Sequence, residues 1–97
     1  MYARVITVQI QPSKVDEAIR IYQDSVVPAA KQQKGFKSIW LLTDRKSGKG
    51  ISFGLWETEA DMIASETSGY LSEQLAKFGS LFTAPPITER FEVSVQA

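Results

Sequence analysis

Residues 35–57 read GFKSIWLLTDRKSGKGISFGLWE, two β-prone runs joined by a polar turn. This stretch holds both tryptophans and four of the six glycines of the chain. Phe36 to Thr43 is apolar on both faces at its centre, Ile39-Trp40-Leu41-Leu42. Asp44 to Gly50 is rich in charge and glycine, the composition of a turn. Ile51 to Trp56 then separates by parity. Ile51, Phe53 and Leu55 form a large apolar face, and Ser52, Gly54 and Trp56 form a face with open space beside an indole. A glycine inside a strand marks close approach by a ligand or another backbone. If the chain has a ligand pocket, this hairpin is expected to line it.

Working outward, Tyr2 to Gln11 is β-rich through Val5, Ile6, Val8 and Ile10. Its even positions Ile6, Val8 and Ile10 are the more apolar face. Pro12 ends the strand. Ser13 is expected to cap a helix, with Asp16 in the capping-box position. Val15, Ala18, Ile19, Tyr22, Val26 and Ala29 fall at helical spacing, and Pro28 should kink or end that helix. After the hairpin, Thr58 caps a second helix whose inner face is expected to be Ala60, Ile63 and Ala64. Leu71, Leu75, Phe78 and Phe82 continue a helical stripe until Pro85-Pro86. Ile87 to Val95 alternates as a last strand.

The order is β-α-β-β-α-β, an α+β arrangement of the ferredoxin-like type. Right-handed crossovers put both helices on one face of a four-stranded antiparallel sheet. The other face is then bare. By within-strand parity its occupants are expected to include Val5, Thr7, Ser52, Gly54 and Trp56. A bare apolar sheet face needs a cover, and a second copy of the chain is the simplest.

The 97 residues, 1–97, correspond to a single domain. Eleven basic and eleven acidic residues cancel, so the basic excess of a nucleic-acid binder is missing. The chain has no cysteine, histidine or asparagine, which removes thiolate chemistry, the commonest general base and the commonest metal ligand. No metal site is expected. Glu57, Glu59 and Asp61 gather at a helix start, where acidic residues are favourable without any ligand. No apolar run reaches the length of a membrane span, and no signal-peptide pattern opens the chain; a cytoplasmic protein is expected.

Several side chains are candidates for a site. The Trp56 indole supplies one donor, with Ser52 and Gly54 leaving room beside it. Trp40 joins it if the turn closes with even parity, and packs under the helices with Phe53 if it closes with odd parity; packing is the favoured reading. Arg90 has the charge to hold an anionic or enolate oxygen, although a strand arginine beside Glu89 and Glu92 is more often ion-paired at the surface. Thr7 and Gln9 are in reach of a ligand from a central strand, or face water or a partner chain.

Gly35-Phe36 after a long first helix, the Asp44-Arg45 turn, the Leu55-Trp56-Glu57-Thr58 run and Pro85-Pro86 before a last strand together resemble the antibiotic biosynthesis monooxygenase (ABM) domain. That family belongs to the dimeric α/β-barrel superfamily. The resemblance implies a homodimer with facing sheets and a pocket for a small apolar or aromatic molecule. Cofactor-independent monooxygenases of polyketide-like substrates, haem-degrading enzymes and signal-processing enzymes are among its members. A pocket Trp, an Asn and an Arg are implicated in the monooxygenases. Trp56 matches the Trp and Arg90 the Arg, giving the two catalytic candidates; the Asn has no counterpart. The haem ligand, a His, is also missing. The implied activity is therefore a monooxygenase that needs no cofactor, with a non-catalytic ligand-binding or structural dimer as the alternative.

Overall fold

The computed structural model describes residues 1–97. Strand β1 spans Tyr2–Gln9, and an isolated bridge pairs Ile10 with Phe82 just beyond it. A short 3-10 turn, Pro12–Lys14, leads into α1, Val15–Ile21. Ser13 makes no capping hydrogen bond. The proline-led turn starts the spiral instead, because proline lacks the N–H that a helix start would leave unpaired.

Helical structure then runs on to Lys31, through a π-helical turn at Tyr22–Val26 and into α2, Val27–Lys31. Pro28 does not end it. The missing proline N–H is accommodated by the wider turn just upstream, where Val27 N–H donates to the Tyr22 carbonyl. The hairpin follows as β2, Phe36–Thr43, and β3, Lys49–Trp56. Its turn closes tightly against β1. Gly48 has φ +79, and a Cβ there would lie 1.9 Å from the Ile10 carbonyl oxygen. Helix α3, Glu59–Thr67, is capped by Thr58, whose Oγ1 accepts from Asp61 N–H at 3.1 Å. Helix α4, Tyr70–Ala76, and a 3-10 turn at Gly79–Leu81 precede β4, Ile87–Glu92.

The strands pair antiparallel in the order β2-β3-β1-β4, the ferredoxin-like α+β arrangement. Ile6, Val8 and Ile10 pack against Val15, Ala18, Tyr22 and Val26 from the first helical run and Phe78 and Leu81 from the second. A smaller cluster joins Trp56 to Ala30, Met62 and Tyr70. Both helical layers therefore lie on the even-numbered face of β1.

Register corrects the expected faces. Directly opposed residues of an antiparallel pair project to the same side. Ile6 opposes Ser52, Arg4 opposes Gly54 and Tyr2 opposes Trp56. Ser52, Gly54 and Trp56 thus share the helix-covered face with Ile6, not the bare face with Val5 and Thr7. Val5 opposes Phe53 and Thr7 opposes Ile51, so Ile51 and Phe53 are on the open side. Trp40 opposes Phe53 and Leu42 opposes Ile51. Trp40 is paired with Phe53, at 5.5 Å between ring centres, but on the open face and 48% exposed. Neither expected location, the pocket or the space under the helices, holds it.

Two further expectations shift. The inner face of α3 is Met62 and Ser65, with Ala60, Ile63 and Ala64 outward. The Arg4 guanidinium on β1 donates to the Ser65 hydroxyl and the Met62 carbonyl on that side. The last strand stops at Glu92 because its partner β1 starts at Tyr2; only Val93 N–H reaches back, to the Met1 carbonyl.

Candidate functional site

Between the helix-covered sheet face and the helices lies a cavity lined by 19 residues, 15 of them hydrophobic. Apolar walls with a few polar groups are the usual make-up of a small-molecule pocket. Those polar groups come from the middle of the sheet and from the helices above it.

Trp56 closes one end of the hairpin and is 2% exposed. Phe36 meets its ring edge-on at 6.0 Å between centres. Its indole Nε1 is buried and has no hydrogen-bond acceptor. Buried donors are nearly always satisfied, so this one stands out. Gly54 keeps the space beside it clear, because a Cβ at that position would lie 3.5 Å from Nε1.

Arg4 reaches the same cavity from β1. It sits on the face of Ile6 and Val8 and is 6% exposed. Nη1 donates to Ser65 Oγ at 2.7 Å, to the Met62 carbonyl at 3.3 Å and to Glu66 Oε2 at 3.4 Å. Ser65 Oγ in turn donates to the Met62 carbonyl at 2.6 Å. Burial pushes the guanidinium pKa down, and Glu66 opposes that shift. An arginine nonetheless stays charged in a protein.

Arg90 lies opposite Arg4 across the β1–β4 pair, near the surface. Its Nε donates to both Glu66 carboxylate oxygens at 2.9 Å, and Nη2 also contacts Oε1. The Arg90 hydrogen bonds are the main reason the Glu66 carboxyl is held below its ordinary range, with Arg4 adding to the effect. Arg90 is thereby committed to Glu66, and it is not among the cavity-lining residues.

Tyr22 begins the π-helical turn and points its hydroxyl at the sheet. It lies 3.2 Å from the Trp40 carbonyl and 2.9 Å from Ser52 Oγ. The carbonyl only accepts, so Tyr22 donates to it and Ser52 donates to Tyr22. Ser52 then has lone pairs to offer the cavity and no proton. Burial pushes the Tyr22 phenol up to about 12, and burial raises Tyr70 as well.

The structure thus brings Trp56, Ser52 and Gly54 to one cavity. Thr7, Gln9 and Trp40 are not there. Thr7 is on the open sheet face, and the Gln9 amide donates to the Ser47 carbonyl at 2.5 Å beside the hairpin turn. Tyr22 and Tyr70 line the cavity as well; Arg4 and Gln74, which also line it, are not marked as candidates by the sequence reading. A signal for Arg4 was present: a charged residue in phase with Ile6, Val8 and Ile10 on an apolar strand face must find a buried partner. Nothing local in the sequence marks its partner, Glu66. No cluster of three or more His, Cys, Asp or Glu side chains has metal-binding geometry. No helix is long and apolar enough to cross a membrane.

Comparison with known proteins agrees with this architecture. Among solved structures, Rv0793 from Mycobacterium tuberculosis superposes with a TM-score of 0.76 at 18% identity, covering 99% of this chain and 97% of that one. A monooxygenase from the gene ActVA-Orf6 of Streptomyces coelicolor, in complex with nanaomycin D, gives 0.74 at 18% identity, covering 99% of this chain and 89% of that one. At those identities the likeness concerns the fold. The uncharacterised protein Rv2557 of Mycobacterium tuberculosis H37Rv is 32% identical over 94 residues, 97% of this chain. The match spans only 41% of that longer relative. The family model for antibiotic biosynthesis monooxygenases matches residues 1–77. The chain belongs to the antibiotic biosynthesis monooxygenase family.

Proposed function

We propose that residues 1–97 form one small-molecule-binding domain that works as a homodimer of the α/β-barrel type. It takes an aromatic, polyketide-like molecule into the cavity and oxidises it with O2 without a cofactor. The observation that carries this reading is the Trp56 Nε1–H, buried at an apolar cavity with no protein acceptor. A ligand oxygen supplies the missing acceptor. Ser52 offers a second polar contact, and Gly54 keeps the approach open.

The reaction converts a methylene flanked by aromatic rings, with O2, to a ketone and water. One oxygen atom enters the new C=O. The other leaves as water with the two methylene hydrogens. The deprotonated substrate donates electrons to O2, and the protein provides a cavity from which water is largely excluded and a donor for the developing oxyanion. The matched arginine, Arg90, acts through Glu66 in this reading and does not touch the substrate. Thr7 and Trp40 belong to the face covered by the second copy.

A second reading, ligand binding without catalysis, draws support from the same cavity. None of its acids is poised as a base. Burial pushes Tyr22 up to about 12 and raises Tyr70; Glu66, outside the cavity lining, is bonded to two arginines. Proton loss then depends on the acidity of the substrate itself. Oxygen uptake with anthrone separates the two readings. The enzyme reading expects uptake above the protein-free rate and a fall of about tenfold in Trp56→Phe. Uptake equal to the protein-free rate rejects it in favour of binding alone.

A further inference from the structure

We infer that the cavity is built for an aromatic anion, and that the anionic group docks on Arg4. This rests on the reading of the cavity as a small-molecule site and specifies the charge of what enters. Arg4 and Arg90 share one carboxylate, Glu66. Two cations against one anion leave the cluster with a net charge of one. Arg90 is 44% exposed at its side chain, so water screens its charge. Arg4, at 7%, is far less screened. The excess positive charge of the cluster is therefore least screened at the cavity wall, where a buried charge is costly.

All three hydrogen bonds of Arg4 use Nη1. Its Nε and Nη2 donors have no protein acceptor, and they present the fork that a carboxylate or a phenolate oxygen fits. The guanidinium carbon is 5.2 Å from the centre of the Trp56 ring. The orphan indole N–H and the underused guanidinium thus belong to two adjoining groups on one wall. One carboxylate has an oxygen to offer each of them. The remaining walls, including Ile6, Ile39, Leu41 and Leu71, accept the ring system. Burial, the leading cause of the lowered Arg4 pKa, is the penalty that such an anion relieves.

Glu66 sets the strength of this subsite. Its negative charge cancels part of the Arg4 field. A neutral side chain of the same shape leaves more positive potential at the wall and draws an anion more strongly, while the fold loses a charge partner.

The test uses 1-naphthoate and its uncharged counterpart 1-naphthamide, titrated calorimetrically into the wild-type protein and the variants Arg4→Met and Glu66→Gln. The wild type is expected to prefer naphthoate by about tenfold. Arg4→Met should bind both probes alike, with naphthamide affinity kept. Glu66→Gln should raise the naphthoate preference further while its melting temperature falls. A wild type that binds both probes equally overturns the anion subsite and leaves the aromatic cavity standing. Failure of both probes to bind overturns the subsite and the cavity reading together. If Arg4→Met does not fold, Glu66→Gln decides, since it keeps Arg4; an unchanged or reduced preference there rejects the proposal.

Discussion

The Arg4 guanidinium stands over the Trp56 ring, 5.2 Å from its centre, in a chain whose buried indole N–H has no acceptor. The two groups are tied by the β1–β3 register, which pairs Arg4 with Gly54 and Tyr2 with Trp56. A cation over an indole face is favourable, more so when both are shielded from water. Trp56→Phe keeps an aromatic face for Arg4 and deletes the unpaired donor. Removing an unsatisfied N–H offsets part of the packing lost with the smaller ring, so the net cost should be about 1 kcal/mol, below the usual range for truncating a buried aromatic. Urea denaturation measures it, and a loss above about 3 kcal/mol would mean that packing dominates.

Arg4 and Glu66 should behave asymmetrically. Glu66→Ala leaves a buried arginine with only Ser65 and a carbonyl, and breaking a buried pair in that way costs about 3 kcal/mol. Arg4→Met leaves Glu66 still bonded to Arg90 and replaces a charge with an apolar chain, for about 1 kcal/mol or less. The double variant should be more stable than Glu66→Ala alone. Equal losses from the two single variants would show that the pair is not electrostatically one-sided. The same denaturation series supplies all three values.

Alkali should find the three tyrosines late. Glu59 and Glu92 raise Tyr2 by charge repulsion, and burial raises Tyr70 and carries Tyr22 to about 12. A folded pKa above the unfolded value near 10 means that the protonated phenol is favoured by folding. Its contribution is complete below about pH 10 and is lost as pH rises toward 12. Absorbance at 295 nm should therefore rise mainly above pH 10, together with loss of the native circular dichroism. Tyr22→Phe should remove the latest-titrating phenol and cost about 1 kcal/mol, because the Trp40 carbonyl and Ser52 lose a partner. A simple titration centred at 10 with the fold intact would contradict the buried setting of Tyr22.

The open sheet face offers a test of assembly. Trp40, Leu42, Ile87 and Phe91 are each about half exposed there, beside Val5, Ile51 and Phe53. Glu89, opposite Val5, and Thr7 interrupt this face, but so many half-exposed large apolar side chains on one face are unusual on a free monomer. Leu42→Lys adds a charge where the isolated chain has no core contact to lose, since Leu42 is 56% exposed. Sedimentation should give a mass of twice 10.8 kDa for the wild type, falling toward 10.8 kDa in the variant. A wild type that sediments as one chain at micromolar concentration would end the homodimer reading.

The amino-acid sequence by itself determined the order and type of the strands and helical runs. Period-two alternation in 2–10 and 51–56, helical spacing from Val15 to Val26, and glycine and proline at the breaks are local properties that each segment carries alone. It also identified the hairpin with Ser52, Gly54 and Trp56 as one face. Only the tertiary structure decided which side of the sheet that face takes. Parity relates residues within a strand, and the phase between strands comes from hydrogen-bonded register. That register put Trp56 under the helices and Trp40 on the open side. It also put Arg4, 52 positions away in the chain, against the indole. Glu66 and Arg90 joined them because a buried cation must be paired, a demand that arises only when the chain closes around it.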